Sequence, residues 1–193
     1  MGRTTRLVAC ALALLLCAGY AAAQTIPGPD TLKVDYFSNA NTGSAPDGTV
    51  QITNPGTSGG NLCAAIFVFD PDQELSECCS CLVTPNGLRT LSVNTDLTKN
   101  PLTGVVLNTG SIRIVSAATV SGTCPLPTPG KVTPTAAVRA WATHIQNNGF
   151  VITETESQNA TFGSTEFTKI VNECYAIKLD GSGSGVCTCG TGD

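Results

Sequence analysis

The residues of this chain best suited to chemistry are cysteines, and they are clustered. The stretch ELSECCSCLVTPNGL (Glu74 to Leu88) puts Cys78, Cys79 and Cys81 within four positions, and GVCTCGTGD places Cys187 and Cys189 two apart. Three chemistries compete for such a pattern. Cys78 and Cys81 form a C-x-x-C, but a thioredoxin-type redox centre needs that motif at a helix N-terminus, where the dipole lowers the thiol pKa. Here the segment leads into a strand and a Pro-Asn-Gly turn. Cys79, Cys81, Cys187 and Cys189 form two C-x-C arms. Residues two apart on a strand face the same way, so the arms could present four thiolates to zinc or copper(I). The usual zinc spacing differs, however, and an oxidising compartment removes free thiols. Structural disulfides are the reading that remains, with the metal site as its rival.

The other candidates are isolated. His144 is the only histidine, so any Ser-His-Asp or Cys-His catalysis must use it, and no G-x-S-x-G elbow accompanies it. A lone histidine beside Thr143 reads as a hydrogen-bonded structural residue, and Trp141 as a core plug. Glu154 and Glu156 could act as glycosidase carboxylates, but two apart on a strand they share one exposed face without an aromatic groove. The acidic run from Asp70 to Glu77 fails the EF-hand pattern, with Leu75 where glycine is required. The run from Asp180 lacks the carboxylate at position twelve, which is Thr191. Asn159-Ala160-Thr161 is a glycosylation sequon, meaningful only in a host that modifies such sites. No catalytic, cofactor-binding or metal residue emerges, no cofactor is implied, and the balance points away from an enzyme.

These cysteines belong to a chain that reads as exported. Arg3 and Arg6 precede a short apolar core (Leu7 to Cys17) and the small residues Ala21-Ala22-Ala23, as in a secretory signal peptide over residues 1–23. Residues 24–193 then form one domain, secreted or otherwise extracytoplasmic, in the periplasm or at the cell surface. Cleavage would remove two of ten basic residues and none of fourteen acidic ones, giving a net charge of −6. That excludes nucleic acid as an obvious partner, and no second apolar run suggests membrane insertion. It would also remove two of ten cysteines, Cys10 and Cys17, and leave Cys63, Cys78, Cys79, Cys81, Cys124, Cys174, Cys187 and Cys189. Eight cysteines in an oxidising compartment imply about four disulfides.

The elements that must position them are mostly strands. Thr, Ser, Gly, Asn and Val dominate, which favours strands and turns. Strands are predicted at Val34–Ser38, at Thr49–Thr53 with Val50 and Ile52 on one face, at Leu62–Phe69 as an apolar run buried on both faces, and at Ser111–Val115. Cys81 to Val93 reads as a hairpin, with Thr84-Pro85-Asn86-Gly87 as a type I turn and Gly87 left-handed. That register sets Cys81 opposite Leu91 and Cys79 opposite Val93, on one buried face with Val83. The Pro-rich segment 124–134 is a crossover. Asn148-Gly149 signals a second hairpin, whose first arm is a strand or else a helix from Thr133-Pro134. Helical periodicity runs from Ser164 to Ile177, with Phe167, Ile170, Val171, Cys174 and Tyr175 on one stripe and Ser164 or Thr165 as cap. The fold expected is mainly β, an antiparallel β-sandwich with one short C-terminal helix.

Cys78 and Cys79 point to opposite sides of a strand, so they need separate partners, and the segment becomes a hub. Short-loop entropy favours Cys174 with Cys187 or Cys189. The other tail cysteine would then reach the hub, and Cys63 and Cys124 would take its remaining positions. The combination of QELSECCSCLVTPNGL, LSVNTDLTKNPLTG, AWATHIQ and DGSGSGVCTCG resembles a set of exported, cysteine-rich bacterial proteins of unknown function. The resemblance covers most of the chain beyond the signal peptide and implies no activity, cofactor or catalytic residue. The functional expectation is an extracellular structural or adhesive module, binding a protein or glycan at the cell surface through its Thr/Asn-rich loops. The alternatives are an extracytoplasmic metal-binding protein using the C-x-C thiolates and a secreted hydrolase centred on His144.

Overall fold

The computed structural model describes residues 30–146 and 150–192. The signal segment and cleavage site expected before Gln24, and the turn expected at Asn148-Gly149, lie outside the described residues. The chain forms β1 (Leu32–Phe37), β2 (Thr49–Thr53), β3 (Leu62–Phe69), β4 (Leu75–Val83), β5 (Leu88–Ser92), a π-helical turn (Val93–Leu97), β6 (Gly110–Ala118), β7 (Arg139–Gln146), β8 (Val151–Glu156), β9 (Gln158–Asn159) and α1 (Ser164–Asp180). The strands make two antiparallel sheets, in the orders β4-β3-β6-β1-β9 and β5-β2-β7-β8. The expected antiparallel sandwich with a C-terminal helix is the fold observed.

Burial explains the arrangement. Val50, Ile52, Leu62, Ala64, Ile66, Leu91, Ile112 and Ile114 fill the space between the sheets, each large side chain contributing about 1.5–3 kcal/mol. The opposite face of β3 and β6, with Ala65, Phe67 and Val115, lies under Ile170, Val171, Cys174 and Ile177 of α1. This second layer accounts for the unbroken apolar run of β3, every residue of which is buried. On α1 the stripe is completed by Ile177, whereas Tyr175 is exposed. Ser164 is the first helical residue, and Gly163 occupies the cap without a side-chain hydrogen bond, so neither Ser164 nor Thr165 caps the helix. The first arm before Gln146 is the strand β7, not a helix. It pairs with β8 from Trp141↔Glu156 to Gln146↔Val151.

The predicted β4–β5 hairpin is an arch instead. Cys81 pairs with Ala64 and Cys79 with Ile66 in one sheet, while Leu91 pairs with Val50 in the other. The turn closes through Gly87 N–H to Thr84 O at 2.8 Å, with Asn86, not Gly87, in the left-handed region at φ +63°. Asn54, fully buried, replaces the missing ladder. Its amide donates to Val83 O at 3.1 Å, and its backbone pairs with Asn86 and Gly87. Cys79, Cys81, Val83, Leu91 and Val93 still share one core, because the two strands of an arch meet face to face across a sandwich. The 124–134 segment carries the chain from β6 in one sheet to β7 in the other.

Candidate functional site

The cysteines form four pairs: Cys63–Cys124, Cys78–Cys174, Cys79–Cys187 and Cys81–Cys189. The alternation of β4 distributes the hub. Cys78 faces α1 and meets Cys174, while Cys79 and Cys81 face the inter-sheet core. The local pairing of Cys174 with the tail is therefore wrong. The helix packs across the outer face of the sheet and brings Cys174 to Cys78. Both tail cysteines go to the hub, and Cys63 and Cys124 bond each other. The tail lies along β4, with Cys78 N–H donating to Gly185 O at 2.9 Å and Cys187 N–H to Cys78 O at 3.2 Å. It then crosses to β5, where Thr90 and Thr191 exchange two 2.9 Å backbone bonds. Gly190, at φ +58°, passes so close that a Cβ would sit 2.1 Å from Thr90 O. The tail thus covers the edges of both sheets on this side. Cys79, Cys81, Cys187 and Cys189, the four sulfurs of the thiolate alternative, are brought together as two disulfides. Among the described residues no group of three or more His, Cys, Asp or Glu is arranged to hold a metal.

The far side of the sandwich is polar inside. His144 Nε2 lies 2.8 Å from Thr155 Oγ1 and 3.3 Å from Asp35 Oδ1, and its ring stacks on Tyr36 with centroids 4.1 Å apart. Ser157 Oγ donates to Asp35 Oδ2 at 2.6 Å. Lys33, 1% exposed, pairs with Asp30 and stands 4.0 Å from Glu156. A cavity of about 530 Å³ opens against this network, lined by Tyr36, His144, Thr153 and Thr155 among others. A nucleophilic triad needs the histidine between serine and aspartate, so that the imidazole takes the serine proton. Here Asp35 is in the middle, Ser157 gives its proton to the carboxylate, and Ser157 is buried. The network suits structural cross-bracing between β1, β7 and β8. Sequence inspection missed Asp35, Thr155 and Ser157. The available signal was a strand, LKVDYF, with charges at alternate positions; such a pattern ordinarily marks a solvent face.

The remaining candidates disperse. Glu154 and Glu156 are exposed on β8, and Glu156 is held by Arg139 at 2.6 Å. Asp70 Oδ1 accepts from Glu74 N–H at 2.9 Å, closing a turn. Asn159 is exposed on β9, its side-chain oxygen accepting from Asp30 N–H at 3.1 Å. Trp141 is not a core plug. It is half-buried and pairs across the sheet with Gln51 and Glu156, while its neighbours Ala140 and Ala142 point into the core. The outer face of the four-stranded sheet therefore carries a row, Thr90, Gln51, Trp141, Glu156. Beside it runs a second, Ser92, Thr49, Thr143, Glu154, bridged by a 2.8 Å hydrogen bond between Thr49 and Thr143. Among the described residues the single α-helix packs on the other sheet, so no second helix covers this face.

Compared with protein-family models, with curated proteins and with solved structures, the chain matches none.

Proposed function

We propose that the chain is an extracellular, non-enzymatic binding module whose disulfide-strapped sandwich presents the outer face of the four-stranded sheet to a glycan at the cell surface. The observation that carries this reading is the row of Thr90, Gln51, Trp141 and Glu156, on a sheet face that no helix among the described residues covers. The indole of Trp141 offers a flat, electron-rich surface to the C–H face of a sugar ring. Gln51 supplies donors and an acceptor, Thr90 a hydroxyl and Glu156 an acceptor, the polar set that sugar hydroxyls need on either side of a stacked ring. The Thr/Asn-rich loops expected from the sequence are secondary to this face. The four disulfides fit an oxidising, extracytoplasmic compartment, and the resemblance to exported cysteine-rich proteins agrees.

Trp141 is the only tryptophan, so its fluorescence reports on this face alone. Titration with cello-, chito- or xylo-oligosaccharides is expected to shift that emission saturably, and Gln51→Ala to weaken the response. Trp141→Ala should abolish retention on a polysaccharide affinity gel. Retention unchanged by Trp141→Ala, or none on any of the three polymers, rejects the reading.

A further inference from the structure

We infer that a second surface, the groove between α1 and the loops flanking β4, docks a basic amphipathic segment of a partner protein. Two cavities of about 520 and 360 Å³ share Glu74 and Thr103 in their walls and so adjoin along this groove. Its floor is apolar. Leu75, Leu102, Ala176 and Ile177 line the first cavity, and Val105 and Val106 the second. Leu102, Val105 and Val106 are 40%, 58% and 62% exposed, so none of the described residues covers this apolar surface.

The loop presenting Leu102 is anchored. A register shift in β4 near Ser76 leaves Ser76 O to accept from Leu102 N–H at 3.1 Å. Asn100 holds the same loop to the tail, accepting from Gly185 N–H at 2.7 Å and donating to Gly183 O at 2.7 Å. The groove is thus set by backbone bonds and does not need a ligand to form it.

Its rim is acidic. Asp70, Asp72, Glu74, Glu173 and Asp180 line the depression against one cation, Lys169, which stands 3.7 Å from Glu173. An anionic lipid surface or a nucleic acid is repelled by such a rim. The complementary occupant has Lys or Arg on either side of apolar side chains, as an amphipathic segment does when it lays its apolar face into a groove. This surface is separate from the Trp141 face, and either assignment can fail without the other.

The test is fluorescence anisotropy with a synthetic Lys/Leu amphipathic peptide of about 14 residues, its Glu/Leu counterpart and a Lys/Ser counterpart. The Lys/Leu peptide is expected to bind, more weakly at about 0.5 M salt, and the other two not to bind. Leu102→Glu, and separately Glu74→Lys with Asp180→Lys, should each reduce its affinity about tenfold or more, the loss expected when complementary groups are removed. Glu154→Lys with Glu166→Lys changes the net charge equally outside the groove and should leave most of the affinity intact; circular dichroism confirms that each variant folds. The inference is overturned if the Lys/Leu peptide does not bind, or if groove and control variants lose affinity alike. It is also overturned if sedimentation shows that the wild type dimerises through this face, since the occupant is then a second copy.

Discussion

Cys78 and Cys79 are neighbours in the chain, yet their sulfurs lie on opposite faces of β4. Cys78 is bonded to Cys174 of α1 and Cys79 to Cys187 of the tail. With Cys81–Cys189, one strand holds the helix on its outer face and the C-terminal tail against its inner one. Deleting residues 186–193 removes the partners of Cys79 and Cys81. Two free thiols are expected under denaturing conditions. Each lost disulfide costs about 2–5 kcal/mol, so the melting temperature should fall on the order of 10 °C or more. A truncated protein that melts with the full-length chain and shows no new thiol would contradict this account of the hub.

The approach of the tail to β5 depends on Gly190. Alanine there must take a left-handed backbone and place its Cβ 2.1 Å from Thr90 O. Gly190→Ala should cost more than about 1 kcal/mol and leave a fraction of molecules in which Cys81 and Cys189 have not paired, read as maleimide labelling of their free thiols. Unchanged melting and labelling would show that the tail reaches its disulfide without this close passage.

Glu77 makes stability depend on pH. The residue is fully buried, Asn100 N–H reaches only its Oε1 at 3.0 Å, and Oε2 has no partner. Burial pushes the carboxyl from 4.5 up to about 7, against the lowering effect of the Asn100 hydrogen bond. Between those values the fold holds a proton that the unfolded chain has released. Stability is therefore greatest near the acidic end of this window and falls as pH rises through about 7, by at most roughly 3 kcal/mol. Glu77→Gln should flatten the profile and be the more stable protein at about pH 8. Urea melts across the window check it, and a flat wild-type profile would refute it.

Asp35 holds the polar interior together, accepting from Tyr36 N–H at 2.9 Å and from Ser157 and facing His144. Asp35→Ala leaves the buried Ser157 hydroxyl without its acceptor and His144 with Thr155 alone, and should cost about 2 kcal/mol. His144→Ala should also destabilise the fold, while the sugar response of Trp141 persists. A hydrolytic activity found in the wild type and abolished by His144→Ala, in a variant that still folds, would establish the hydrolase alternative in place of the binding reading.

Local pattern determined much of this molecule. β2 and β3 begin and end where alternation and the apolar run end, because a strand's burial is written in its own period. The buried stripe of α1 at Ile170, Val171 and Cys174 and the opposite facing of Cys78 and Cys79 follow from periodicity in the same way. What local pattern could not contain was the choice between partners far apart in the chain. Loop entropy favoured Cys174 with the tail, but the helix must bury its stripe on β3 and β6, and that docking sets Cys174 over Cys78. Pro85-Asn86-Gly87 reads as a hairpin, but β4 and β5 each gain a full strand partner by entering different sheets, and Asn54 satisfies the arch. Asp35 and His144 lie on separate strands and Ser157 in the link between β8 and β9, and none signals the others. They become one network only because the sandwich stacks β1 on β7, and Trp141 becomes a surface residue because Ala140 and Ala142 take the inward positions of the same strand.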